Sequence, residues 1–272
     1  MNNFLISKER KQYLKSKRKK KILVLITQIS ILIIFLAVWE ILANKKIIDS
    51  FITSQPSRIL ETFMNLGSND LLKHIGVTTY ETIVGFLLGT VLGIIIAIIL
   101  WWSDFLAKVL DPYLVVLNSL PKVALGPVII IWVGAGTPAI IVMAVAISLV
   151  VTILENLNGF LRTDKELIKM ARTFKASKLQ ILLKIIIPAN ISTFINSLKV
   201  NIGLSLVGVI SGEFLVSKAG LGYLIVYGGQ VFKLDLVMTS VLILGLLAGV
   251  MYLAVLLLEK FILKTKKVQV KK

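Results

Sequence analysis

The chain contains no cysteine and one histidine, His74. A disulfide framework, a thiolate metal site and a cysteine nucleophile are thereby excluded, and a histidine-built metal centre within one chain is disfavoured. Acidic residues are scarce, with 14 Asp and Glu against 31 Lys and Arg, a net charge of +17. Glu40, Glu81, Asp111, Glu155, Glu213 and Asp235 all fall near the ends of apolar runs, where a solvated carboxylate is expected. No nucleophile–base pair, paired-carboxylate site or metal cluster can be assembled from them. No residue is therefore assigned a catalytic or metal-binding role, and the chain is not expected to be an enzyme. There is no Walker A loop either, so any ATP chemistry belongs to another chain. Lysine far outnumbers arginine, which argues against a dedicated reader of nucleic-acid phosphates.

Apolar residues, by contrast, are abundant, at 57% of the chain. They recur in runs long enough to cross a bilayer, so the fold class is an all-α, polytopic membrane protein. Six spans are expected, at about 22–43, 79–102, 109–133, 139–157, 191–210 and 236–258. They form one membrane domain, 22–260, between basic tails at 1–21 and 261–272. The first run, Ile22 to Ala43, is too long for a typical signal core and is expected to remain as a span. Basic excess then reports topology and contact with anionic lipid. Arg162, Lys165, Lys169, Arg172, Lys175, Lys178 and Lys184 fall on the same side as both tails; the opposite side carries only Lys45, Lys46, Arg58, Lys73, Lys218 and Lys233. The positive-inside rule places both termini in the cytoplasm.

The spans are not alike. Span two carries Gly85-x-x-x-Gly89-x-x-x-Gly93 and Ala97, a smooth stripe that lets a neighbouring helix approach. Gly203 and Gly208-x-x-x-Gly212 in span five offer close packing too, and span six has Gly245-x-x-x-Gly249. Span three is interrupted by Asn118-Ser119-Leu120-Pro121-Lys122 and by Gly126-Pro127. Proline removes a backbone donor, so broken backbone at this depth must line a cavity or lie buried in protein. Discontinuous helices point to a transport path. Candidate path residues are Asn118, Ser119, Pro121 and Lys122 at the break, with Lys199, Asn201 and Ser205 on span five. Lys199 lies far enough along its helix either to line an anion path or to snorkel back to the interface. Pro56 to Met64 reads as a short amphipathic helix outside the membrane, and the glycine- and aromatic-rich 213–233 stretch as a short helix turned back against it.

The longest polar interruption is Arg162 to Ala189. Thr163 with Glu166, and Ser177 with Gln180, each have the spacing of a capping box. Between them Phe174-Lys175-Ala176 is left as a turn. Two short capped helices, basic on their polar side, are more than a connection needs, and something outside the membrane is expected to grip them.

This stretch resembles the cytoplasmic EAA loop of the integral-membrane permease subunits of bacterial ABC importers. The branch that matches best handles nitrate, sulfonates, taurine, bicarbonate and thiamine-precursor pyrimidines. The resemblance runs from Ser54 to Lys260, through Ser119-Leu120-Pro121 with Gly126-Pro127, Ile131 to Gly134, Leu167 to Pro188, Gly212-Glu213-Phe214 and Gly220 to Tyr223. It implies the type I importer permease fold in the plasma (inner) membrane. It also implies a second permease copy, a dimer of ATPase subunits holding ATP and magnesium, and an extracellular or periplasmic solute-binding protein. No cofactor is expected on this chain itself. Lys169, Met170, Ala171, Arg172, Thr173, Phe174, Lys175, Ala176, Ser177 and Pro188 are the residues it assigns to ATPase coupling. The signature glutamate, first alanine and turn glycine are replaced by Lys169, Met170 and Lys175, which suggests an ATPase with a complementary groove. A stand-alone carrier or channel is the alternative, and it would move solute without any ATPase.

Overall fold

The computed structural model describes residues 8–65 and 70–269. Two compact units divide near Met64. The first opens with α1 (Lys8–Asn44), so the basic segment and the first span form a single helix. The reason is local: Lys8 to Lys21 contains neither glycine nor proline and is rich in good helix formers. From Ile22 onward α1 exposes apolar side chains on every face, as a helix immersed in hydrocarbon or in other helices would. A single turn, α2 (Ser50–Thr53), follows, capped by the Asp49 side chain. Then comes α3 (Pro56–Met64), the amphipathic helix expected there. Glu40 is not a loose solvated end. Its carboxylate accepts from Ser57 N at 3.1 Å and Ser57 Oγ at 2.9 Å, which holds the start of α3.

The second unit is built on three long helices, α4 (Leu71–Trp102), α7 (Thr137–Leu161) and α11 (Ile191–Val216). α4 and α11 both pack along α7 and also touch each other. The glycine ladder decides how. Gly85, Gly89 and Gly93 stand opposite Ala144, Ser148 and Thr152, one residue per step of four on each helix. A Cβ on Gly93 would lie 2.6 Å from that of Thr152, so only glycine allows this approach. α11 approaches the same stretch of α7, where Gly208 meets the backbone of Ala144 and Gly212 that of Ile140. A Cβ at Gly203, Gly245 or Gly249 would meet nothing within 4 Å, so the close packing expected at Gly203 does not occur among the described residues.

Hydrophobic packing supplies little net drive between helices in lipid, and polar side chains inside this bundle pair across it. Asn201 Nδ2 donates to Thr152 Oγ1 at 2.6 Å and to Thr90 Oγ1 at 3.2 Å, while Asn156 Nδ2 donates to Ser197 Oγ at 3.2 Å. The bonds link α4, α7 and α11 at one level.

Among the described residues five helices are long and apolar enough to cross a membrane, and six if a bent pair is counted as one span. The pair is α5 (Asp104–Ser119) and a 3-10 turn at Lys122–Leu125 running into α6 (Gly126–Val133), bent by 89°. Pro121 disfavours helical geometry at the residue before it, and Leu120 takes φ −66°, ψ 139°. The chain turns back at Gly134 and Gly136, both at positive φ.

After α11 comes α12 (Leu221–Gln230), the short returning helix, which packs on α13 (Leu234–Gln269), α11 and α4. Its first N–H groups find acceptors on two other helices. Gly220 N donates to His74 Nδ1 at 2.8 Å, Leu221 N to Thr78 Oγ1 at 2.7 Å, and Gly222 N to Glu213 Oε2. Thr78 Oγ1 in turn donates to Glu213 Oε1 at 2.6 Å. His74, Tyr223 and Tyr227 stack in a column beside this junction, with ring centroids 5.7 and 5.9 Å apart. Glu213 is therefore a buried clamp, not the solvated end its place in the sequence suggests. Glu81 departs from that expectation as well. It is fully buried, its carboxylate oxygens have no bonded donor, and Glu213 and Thr137 are its polar neighbours.

Candidate coupling surface

The loop between α7 and α11 folds as two short helices, α8 (Lys165–Thr173) and α9 (Lys178–Ile181). The first capping box is not formed. Asp164, one residue later, is the cap, and its carboxylate accepts from Glu166 N at 2.8 Å. A carboxylate at a helix N-terminus gains from the dipole as well as from the hydrogen bond, so the aspartate prevails over its threonine neighbour. Thr163 turns inward instead and accepts from Asn190 Nδ2 at 2.8 Å. Glu166 is left to pair with Lys169 at 2.9 Å. The second box is complete: Gln180 N donates to Ser177 Oγ at 3.2 Å, and Ser177 N to Gln180 Oε1 at 2.8 Å.

α8 ends in a Schellman motif. Lys175 takes the left-handed conformation at φ 55°, its N–H bonds to Arg172 O at 2.9 Å, and Ala176 N bonds to Ala171 O at 3.0 Å. The turn thus requires a positive φ where this chain supplies lysine. Beyond α9 the backbone widens into a π-helical segment at Leu182–Ile186, just before α10 (Ile187–Ala189) with Pro188 inside it. Proline has no N–H to close a regular turn, and a wider turn relieves that mismatch.

The two faces of α8 differ. Ile168 and Ala171 point inward, and with Ala176 they pack on a core formed by α4, α7 and the end of the loop, including Phe160, Ile181 and Ile186. Leu167, Met170 and Phe174 point outward at helical spacing, with Phe174 79% exposed. The exposed cations Lys165, Lys169, Arg172 and Lys175 surround this apolar stripe. Thr173 closes its own turn through Met170 O at 2.6 Å. One face is bolted to the bundle, and the other is an apolar ridge in a basic frame. An amphipathic helix presented in this way is suited to lie in the groove of a partner.

The predicted path residues fall into two groups. Asn118, Ser119 and Pro121 are exposed at the break, and Lys122 donates there to Asn118 O at 3.0 Å. Asn201 and Ser205 are fully buried between helices. Lys199 lies apart from both groups, in an ion pair with Glu259 of α13 at 2.8 Å. Sequence reasoning gave Glu213, Thr78 and His74 no part in holding the chain together, although glycines at 220 and 222 a few residues after Glu213 are a signal of backbone held close to a carboxylate.

The pattern describing binding-protein-dependent transport system inner membrane components matches residues 89–267. The chain belongs to that family. A probable ABC transporter permease protein of Haemophilus influenzae is 30% identical, covering 84% of this chain and 94% of the relative. A putative aliphatic sulfonates transport permease protein of Bacillus subtilis is 26% identical, covering 85% and 84%. Among solved structures, an inward-facing MetNI methionine ABC transporter chain aligns with a TM-score of 0.61 at 19% identity, over 68% of this chain and 92% of that one. The fold is thus that of an ABC importer permease. The permease is a multi-pass inner-membrane subunit that does no chemistry of its own, and the ATPase is a separate chain.

Proposed function

We propose that the permease provides the translocation path for a small anionic or zwitterionic solute and takes its drive from the ATPase through residues 162–189. The solute class is of the sulfonate, nitrate, taurine or thiamine-precursor type, and a solute-binding protein delivers it. Two permease copies, each with its 22–260 core in the membrane and both termini in the cytoplasm, rest on an ATPase dimer that holds ATP and magnesium. Asn118, Ser119, Pro121 and Lys122 line the path at the broken span, and Lys199, Asn201 and Ser205 belong to its helical wall.

The observation that carries this reading is the outward ridge of Leu167, Met170 and Phe174 on a helix whose inner face is packed into the bundle. An apolar ridge left uncovered by the described residues is suited to a partner, and one rigidly joined to the spans transmits what that partner does. Replacing Phe174 with Asp tests it directly. Uptake in cells should fall to background while the permease still inserts and is recovered from membranes in normal amount. Normal uptake by that variant overturns the assignment.

A further inference from the structure

Glu81 of α4 and Glu213 of α11 are neighbours, and they are 0% and 2% exposed. They are not equally provided for. Glu213 accepts from Thr78 Oγ1 at 2.6 Å and from Gly222 N, one donor for each of its oxygens. Gly222 N belongs to the first turn of α12, so the helix dipole also favours a negative charge on Glu213. Neither oxygen of Glu81 has a hydrogen-bond partner. Thr137, at the start of α7, lies close by but makes no hydrogen bond to it.

No cation compensates the pair. Neither carboxyl belongs to the ion pairs formed among the described residues, which join Lys169 to Glu166 and Lys199 to Glu259. His74 reaches the same junction, but its Nδ1 accepts from Gly220 N at 2.8 Å. A nitrogen that accepts carries no proton, so this ring is neutral. Two neighbouring carboxyl groups without a cation do not both ionise, because their repulsion adds to the cost of burying each charge. A metal ion would need room. Each Glu81 oxygen has less than 1 Å² of accessible surface, so no void of water size adjoins it. A proton needs none.

We propose that Glu81 and Glu213 together bind one proton, carried by Glu81 and donated to the ionised carboxylate of Glu213. The group with two donors keeps the charge, and the group with none becomes the third donor, in a charge-assisted O–H···O bond. The proton joins α4 to α11 at the point where α12 is anchored, beside the first residue of α7. Residues 162–189 take no part in it, so the proposal stands apart from the coupling role.

The test is infrared spectroscopy of the permease, purified in an ester-free detergent at neutral pH, together with hydrogen exchange at Gly222. The unaltered chain should show a carboxylic-acid carbonyl band that shifts in heavy water, although an exposed glutamate is ionised at this pH. Glu81→Gln should remove the band and leave exchange at Gly222 nearly unchanged, because the amide N–H takes over the donation. Glu81→Leu has no donor to offer and should speed that exchange about tenfold or more. Glu155 also has a buried oxygen without a partner, and Glu155→Gln should leave the band in place. Absence of the band from the unaltered chain overturns the proposal, as does a band that survives Glu81→Gln or vanishes in Glu155→Gln. Should the band be absent and protection at Gly222 rise with added sodium or calcium, the occupant is a metal ion and the proposal fails. If Glu81→Gln does not fold, the band in the unaltered chain and in Glu155→Gln decides, its presence in both supporting the pair and its absence from either overturning it. Neither uptake nor an ATPase enters these measurements, so their failure is separable from failure of the coupling role.

Discussion

Lys178 Nζ donates to the main-chain carbonyl of Trp102 at 2.5 Å, while lying 5.9 and 5.7 Å from the ring centroids of Trp101 and Trp102. Trp102 is the last residue of α4, where carbonyls have no partner within the helix and the dipole favours a cation. One ammonium group thus joins the second helix of the loop to the C-terminal end of the span whose glycines lock it to α7. In the proposed coupling role, this contact is the route by which movement of the loop would reach α4.

Replacing Lys178 with Ala should therefore weaken transmission without removing the apolar ridge. Uptake is expected to fall severalfold while co-purification with the ATPase is unchanged, and Lys178→Arg should restore most of it. Loss of the contact is worth about 1 kcal/mol, so the fold survives. A shift in tryptophan emission, read before any partner is added, would report the lost contact by itself. Uptake unchanged in the alanine variant would remove Lys178 from the coupling route.

Lys175 occupies a left-handed turn position at φ 55°. A residue with a Cβ is strained there by about 1–2 kcal/mol, partly offset by the greater unfolded freedom of glycine. Lys175→Gly should raise the stability of the purified permease slightly, by up to about 1 kcal/mol, seen as a small rise in its thermal midpoint, and Lys175→Val should lower it. The opposite order would mean that the turn changes shape in solution.

The glycines of this chain are not equivalent, and the difference can be measured. Gly93→Leu places a side chain where Thr152 already stands, and overpacking of this kind costs about 1–3 kcal/mol or prevents close association of α4 with α7. The yield of monodisperse protein should drop sharply. At Gly249 an added Cβ meets nothing within 4 Å among the described residues, and Gly249→Leu should leave the stability of the fold unchanged.

Thr78 accepts from Leu221 and donates to Glu213, so it serves two bonds of the α12 clamp. Thr78→Val removes both at nearly constant volume. Hydrogen exchange at Leu221 should accelerate, and the variant should lose about 1–3 kcal/mol of stability because buried polar groups are left unmatched. Protection unchanged at Leu221 would show that Thr78 does not hold α12, which would then rest on its other bonds and its packing.

Much of this molecule is legible in its amino-acid order, because the signals are local. Runs of apolar residues set the spans, Pro121 with its restricted predecessor sets the break, and Ser177 with Gln180 sets the start of α9. Spacing along a helix also says which residues share a face. It does not say what that face meets. The stripes at Gly85 to Gly93 and at Gly245 to Gly249 look alike in the chain, yet one is pressed against α7 and the other is open. Thr163 and Asp164 compete for one cap, and Asn190, distant in sequence, gives the threonine its other use. Glu81 and Glu213 sit near span ends, where water is the expected neighbour, and only the packing of α4, α11 and α12 together takes them out of it. Local chemistry determined the elements of the permease and the capped loop between them. The tertiary structure decided which side chains are paired, which are orphaned and which face a partner, since burial is a property of neighbours brought together from far along the chain.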